Sequence, residues 1–187
     1  MGADKATLSF DGEPISSRLA RLLSTFTYPT LEVGPGYSSL ISIREDLEGQ
    51  GPMYALVAGW QALRKRGFAG SVLVLACDMP TITGEFIQWL TLHPNPNSII
   101  PLLDSKPQPL CARWSVADLV KISEALGQGV RSFKTLYQSI DAHFVDGDDW
   151  GHLGIDVGLS DIDSQEDIER LGLAGRICVT TPNTIAP

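Results

Sequence analysis

The sequence predicts a single α/β domain of three layers, with helices on both faces of a mostly parallel sheet. Three observations predict it. Strand-like and helix-like stretches alternate through most of the chain, the pattern of βαβ units. One short apolar run, Val72–Cys77, reads as a strand buried on both faces and stops abruptly at Asp78. The 187 residues, 43% of them hydrophobic, carry no repeat, low-complexity stretch or linker that would divide them. One domain over residues 1–187 is expected, with a loose tail from about 182.

In chain order, the apolar stretch Ala6–Phe10 meets a turn at Asp11-Gly12. Ile15, Leu19, Leu22, Leu23 and Phe26 repeat at helical spacing, and Pro14 suits a first helical turn. Leu31–Val33 and Leu40–Ile43 read as short strands flanking Gly34-Pro35-Gly36. Gly51-Pro52 opens a helix whose apolar stripe is Met53, Leu56, Val57, Trp60 and Leu63, closed by Lys65, Arg66 and Gly67. After Asp78, Pro80 blocks simple continuation of the strand, and Thr83 caps a helix reaching Leu92. Ser98–Leu102 and Pro109–Trp114 read as strands around the polar turn 104–107. Ser115 caps a helix ending at Gly127, and Ser132 caps another with Phe133, Leu136 and Ile140. His143–Val145 is a short strand, and Asp146–Gly154 reads as a solvated acidic loop. Ser164-Gln165-Glu166-Asp167 has the form of a capping box before Ile168 and Leu171, and Ile177–Thr181 is a last strand.

Composition narrows the function classes. The net charge is −8 with no basic cluster, which argues against nucleic acid or an anionic membrane as partner. No apolar run approaches the ~20 residues of a membrane span, and no signal-peptide core is present. Cys77, Cys111 and Cys178 are odd in number and far apart, with no CxxC or zinc spacing, as expected in a reducing cytoplasm. Cys77 is expected as a small buried thiol within its strand. No G-x-S-x-G or P-loop motif occurs.

Asp78 is the residue that chemistry singles out. A carboxylate at the carboxyl end of a buried strand lies where open α/β sheets bind ligands. Its hard oxygens suit Mg2+ shared with substrate phosphates. The plain alternative is a turn or helix cap, but Thr83 is the better cap for the next helix, so Asp78 is spare. On their own, Lys5 reads as a solvated surface charge, Asp46 as a loop acid and Asp163 as a turn acid before the Ser164 cap. His93, His143 and His152 lack the spacing of a metal site, and Trp60, Trp89 and Trp114 read as core.

Four stretches then form an ordered set. They are Met1-Gly2-Ala3-Asp4-Lys5-Ala6, Arg44-Glu45-Asp46 with Gly51-Pro52, Ala76-Cys77-Asp78-Met79-Pro80, and Asp161-Ile162-Asp163-Ser164-Gln165-Glu166-Asp167. Together they resemble the molybdenum cofactor guanylyltransferases, within the wider nucleotidyltransferases that share an R-M-G-x-D-K-A loop. Gln108-Pro109-Leu110-Cys111-Ala112-Arg113-Trp114 is similar to the family's Q-P-L-x-A-x-Y/W strand, and Arg131-Ser132-Phe133 to its R-S-L helix start.

The resemblance implies a Rossmann-like nucleotidyltransferase fold and a reaction. The terminal phosphate of molybdopterin attacks the α-phosphate of GTP and pyrophosphate leaves, with Mg2+ as cofactor. Lys5 and Asp78 carry over as catalytic residues, and Asp78 as the metal ligand. Gly2, Lys5, Asp46 and Asp78 carry over as nucleotide-binding residues. Asp161 and Asp163 carry over as contacts to the second substrate or a second metal. GTP and molybdopterin are the implied partners, with contacts to molybdoenzyme-maturation proteins.

The chain departs from the family at its start. Members carry an apolar strand, an L-A-G-G loop and an Arg ahead of the position of Met1. A central strand and the loop that holds the nucleotide are therefore expected to be lacking here. Met53-Tyr54-Ala55-Leu56 also replaces a common L-A-G-I, and Gln165 a common Pro. Two alternatives stay open: a nucleotidyltransferase of the same fold using CTP or a sugar phosphate, and a non-catalytic truncated paralogue acting as a binding partner.

Overall fold

The alternation of strand and helix patterns is realised element by element in a computed structural model that describes residues 8–44, 50–150, 153 and 165–179. Strand β1 (Leu8–Phe10) turns at Asp11-Gly12 into the short β2 (Glu13–Pro14). Both turn residues take positive φ, 50° and 82°, as a two-residue hairpin of the right twist requires. Helix α1 (Ile15–Phe26) follows directly. Strands β3 (Leu31–Val33) and β4 (Ile41–Ile43) lead to α2 (Pro52–Lys65), which has Pro52 in its first turn and Arg64 and Lys65 in its last. Gly59 on α2 lets the helix press onto β3, because a Cβ there would stand 2.9 Å from Val33 Cγ2.

Strand β5 (Val72–Leu75) is followed by α3 (Gly84–Leu92), where Thr83 caps by accepting from the Phe86 N–H. Strand β6 (Ser98–Leu103) turns through Asp104-Ser105 into β7 (Lys106–Pro107), and β8 (Cys111–Trp114) returns alongside. Ser115 then caps α4 (Val116–Gly127) by accepting from the Asp118 N–H. Short α5 (Phe133–Leu136), β9 (Ala142–Val145), α6 (Gly147–Trp150), α7 (Gln165–Arg170) and β10 (Ile177–Val179) complete the described chain.

Alternation of side chains across the strands divides the interior in two. Leu73 and Leu75 of β5, with Ile99 and Cys111, face a cluster built on α1 and α3. Val72 and Val74, with Ile100, Ala112 and Trp114, face the opposite cluster, built on α2 and α4. This is the expected three-layer arrangement. The sheet at its centre is mixed. The β3–β4 and β6–β9 ladders are parallel, and the other described ladders are antiparallel. The two-residue turn at Asp104-Ser105 imposes part of this, since so tight a connection joins only antiparallel strands.

The strands fall into three groups among the described residues: β10-β1-β2, β3-β4, and β5-β8-β6-β7 with β9 beside β6. No described helix is long and apolar enough to cross a membrane.

Some expectations change. The apolar run is a strand only to Leu75, and Leu73–Leu75 are half-buried rather than enclosed, because β5 ends its sheet and borders a cavity. Cys77 lies beyond the strand and is exposed, not a core thiol, whereas Cys111 is fully buried and burial pushes its thiol pKa far up. The acidic stretch after Val145 holds the one-turn helix α6, anchored by Trp150, which is 1% exposed and meets Phe86 edge-on at 5.9 Å.

Candidate functional site

The candidate site is a cavity of about 950 Å³ between β3 and β5. One wall is Leu31–Val33; the other is 71–78, including β5 and the turn that follows it. Helices α1 and α2 close it on the two faces through residues such as Leu23 and Leu56. Asp78 stands at the carboxyl end of β5 and lines this cavity, with its Oδ1 atom fully buried.

The turn that carries Asp78 is tied down from α1. Arg18 donates from Nε to the Pro80 carbonyl at 2.8 Å and from Nη2 to the Ile82 carbonyl at 2.9 Å. Its guanidinium also lies 5.7 Å from the Phe10 ring centre, and burial lowers its pKa. Sequence reasoning missed Arg18. A lone Arg in an amphipathic helix gives no signal until the fold brings residues 80 and 82 beside it.

Across the cavity, the loop after β3 is held by one carboxylate. Glu32 Oε1 accepts from the N–H groups of Gly36 and Tyr37 at 2.9 and 2.7 Å. Its Oε2 accepts from the Ser38 N–H and Oγ at 2.8 and 2.7 Å. Burial pushes the Glu32 pKa up, but the Ser38 hydroxyl and the three N–H groups outweigh it and hold the pKa below the usual value. Pro35, Tyr37 and Ser38 from this loop line the cavity with Asp78.

Of the sequence-predicted site residues, the described structure contains Asp78. Gly2, Lys5, Asp46, Asp161 and Asp163 lie outside the described residues. His93 and His143, which sequence spacing separates, meet with ring centres 5.7 Å apart. His93 Nδ1 accepts from the Asn95 N–H at 3.3 Å, and burial, then the nearby Arg113, lowers its pKa. Arg113 serves the chain itself: it donates to the carbonyls of Thr91, His93, Asn95 and Asn97, pinning the exit of α3.

No cluster of three His, Cys, Asp or Glu able to hold a metal occurs among the described residues. One hard carboxylate at the end of a strand still fits Mg2+, which takes one or two carboxylates and fills its remaining positions from phosphates and water. Asp78 is the described residue that would hold it, and the ion would supply charge neutralisation for a polyphosphate.

Comparisons with known proteins bear on the family and the fold. A model of the MobA-like NTP transferase domain matches residues 1–142. No curated protein sequence matches the chain. The structure of molybdopterin-guanine dinucleotide biosynthesis protein A from Archaeoglobus fulgidus superposes with a TM-score of 0.68 at 18% identity, covering 93% of this chain and 91% of that one. A protein of Aquifex aeolicus VF5 superposes with a TM-score of 0.56 at 17% identity, over 67% of this chain and 63% of that one. The family match spans well over half the chain, and the fold is shared almost end to end with the archaeal structure, so this chain belongs to the MobA-like NTP transferase family.

Proposed function

We propose that the protein transfers GMP from GTP to the molybdopterin cofactor and releases pyrophosphate. The observation that carries this reading is the position of Asp78. In a MobA-like NTP transferase domain, it is a carboxylate at the carboxyl end of a strand, on the wall of the large cavity.

An oxygen of the acceptor phosphate attacks the α-phosphorus of the nucleotide. A new P–O bond forms, the bond to the β-phosphate bridging oxygen breaks, and pyrophosphate departs with the electron pair. Such a transfer needs alignment and neutralisation of phosphate charge more than covalent help from the protein. Bound Mg2+ would supply much of that neutralisation, held by Asp78. By the resemblance, Lys5 is assigned as a point charge for the phosphates and Gly2 as a nucleotide-binding residue. Asp46 accepts from guanine N–H groups or a ribose hydroxyl. By the resemblance, Asp161 and Asp163 are assigned to the second substrate or a second ion.

The test is a thermal-shift series with GTP, CTP and ATP, each with and without Mg2+, followed by pyrophosphate release in the presence of molybdopterin. The expected result is a Mg2+-dependent shift largest with GTP and release that needs the acceptor. A shift largest with CTP reassigns the base, and no shift with any nucleotide overturns the enzyme reading. Asp78→Asn should abolish the Mg2+-dependent part of the shift. If that part persists, Asp78 is not the metal ligand.

A further inference from the structure

Helix α2 separates two hollows. Its Ala55, Leu56, Gly59 and Trp60 line the large cavity. Its Tyr54, Ala58, Gln61 and Lys65 line a second groove of about 340 Å³, completed by α4 and the end of β4. The two share no lining residue among those described.

The second groove is cationic in an acidic molecule. Arg44, Lys65 and Arg131 line it, and among the described residues no Asp or Glu does. The chain carries 22 Asp and Glu against 14 Lys and Arg, so its composition alone would favour acids here. No basic cluster shows in the sequence because the three cations come from three separate segments, which the fold brings to one groove. Among the described residues none of the three forms an ion pair.

Arg131 is held in place. Its Nη1 donates to the carbonyls of Leu126 at 2.8 Å and Val130 at 3.0 Å. The first bond offsets the negative end of α4, which would otherwise repel an anion. Both bonds use Nη1, so Nε and Nη2 remain as donors for a ligand. Tyr54, Gln61 and Ser123 add neutral donors, and buried Val57 and Leu126 complete the lining.

Size and donor pattern select the ligand. The groove follows α2 from Tyr54 to Lys65, about 16 Å of helix. Its volume suits a small molecule. A planar guanidinium pairs with two oxygens of one phosphate, and a lysine supplies a point charge to another. One phosphate is too short to meet cations spread along such a groove. A small molecule with a phosphate at each end meets them together.

We infer that this groove is a second ligand site, which takes a small organic bisphosphate between α2 and the C-terminal end of α4. Arg44, Lys65 and Arg131 pair with its phosphates, and Tyr54, Gln61 and Ser123 donate to the remaining oxygens. The inference rests on this groove and not on the nucleotide reading of the cavity. Glu45, Asp46 and Glu48 follow Arg44 in sequence and lie outside the described residues. They are the chain's own competitors for these cations.

The test is calorimetric titration of the full chain, free of nucleotide and Mg2+, with fructose 1,6-bisphosphate, fructose 6-phosphate and fructose. The expected result is saturable one-to-one binding of the bisphosphate, about tenfold weaker binding of the monophosphate, and none of the neutral sugar. Salt at about 0.5 M should weaken the binding. Amide signals should shift at 57–65 and 123–131 and stay in place at 76–80. Lys65→Met and Arg131→Met should each weaken binding about tenfold, and Asp78→Asn should bind as the parent chain does. Lys65 is exposed, so its variant keeps the fold even if Arg131→Met loosens the end of α4. Absence of saturation overturns the proposal, and is the result if the acids at 45, 46 and 48 hold the cations. Equal affinity for the two phosphates, full affinity in Lys65→Met, or shifts at 76–80 with loss of binding in Asp78→Asn also overturns it.

Discussion

Asp118 shows how one buried charge organises the sheet-to-helix junction. It is 1% exposed, and its Oδ2 accepts from Ser98 Oγ at 2.6 Å and Ser115 Oγ at 3.1 Å. Its Oδ1 meets Lys121 Nζ at 3.4 Å and the Asp141 N–H at 3.2 Å. One carboxylate thus joins β6, the start of α4 and the entrance to β9. Truncation takes the acceptor from the buried Ser98 and Ser115 hydroxyls and from the Asp141 N–H, which costs more than the net value of the bonds themselves. Asp118→Ala should lower unfolding free energy by about 3 kcal/mol in urea titration. Trp150 gives the apolar counterpart. Its indole N–H has no hydrogen-bond partner among the described residues, so its contribution is volume and ring contact with Phe86. Trp150→Ala should cost about 3–5 kcal/mol, and Trp150→Phe clearly less, because Phe keeps most of the ring and removes an unpaired donor.

At the scale of elements, the segment from β3 to β4 is built around Glu32. A short strand followed by Gly34-Pro35-Gly36 has few side chains with which to fix a conformation, and Gly36 adopts a φ of 96°. The carboxylate supplies the missing order by gathering three N–H groups and a hydroxyl. Because the folded pKa of Glu32 is depressed, its stabilisation is present above the ordinary glutamate value and is lost as pH falls through the depressed one. Glu32→Gln should flatten the acid limb of the stability–pH curve and speed amide exchange at 36–38 at neutral pH; an unchanged limb would show that other carboxylates dominate it. The strand Leu31–Val33 was readable from its β-compatible residues and the glycines after it, and α1, α2 and α4 from their spacing and caps. Glu32's role was not readable, because it depends on a loop curling back within reach. Helix α6 was hidden for a related reason: a single turn of Gly, Asp, Asp and Trp has no period, and Trp150 is buried by a core cluster that includes Phe86, 64 positions earlier. The same holds for the pairing of His93 with His143. For the site, local sequence singled out Asp78, through an apolar run ending on an acid that the next helix did not need. Lys5 and Asp46 gained meaning only from resemblance.

At the scale of the molecule, the central layer is divided among the described residues. The β3–β4 pair carries the Glu32 loop, and the β5 sheet carries the Asp78 turn, which Arg18 fastens to α1. Helix α2 runs between the two pieces and packs on β3 through Gly59. The cavity lies where they face each other, and residues from both line it. A ligand filling its Asp78 end therefore touches two bodies of structure, and its binding energy opposes their separation. On the proposed function, GTP with Mg2+ at a hundred times its Kd adds about 2.7 kcal/mol to stability. For a domain of this size, that is a rise of roughly 5–10 °C in Tm. The location of the effect matters as much as its size. Amide exchange should slow together at 35–38 and at 76–80. Slowing at 76–80 alone would place the nucleotide on the β5 sheet without bridging to the Glu32 loop. In that case the Arg18→Met variant, which frees the Asp78 turn, should remove most of the nucleotide-induced stabilisation. If the ligand does bridge both pieces, the same variant should weaken the stabilisation and leave protection at 35–38 measurable, because the Glu32 loop keeps its own anchor.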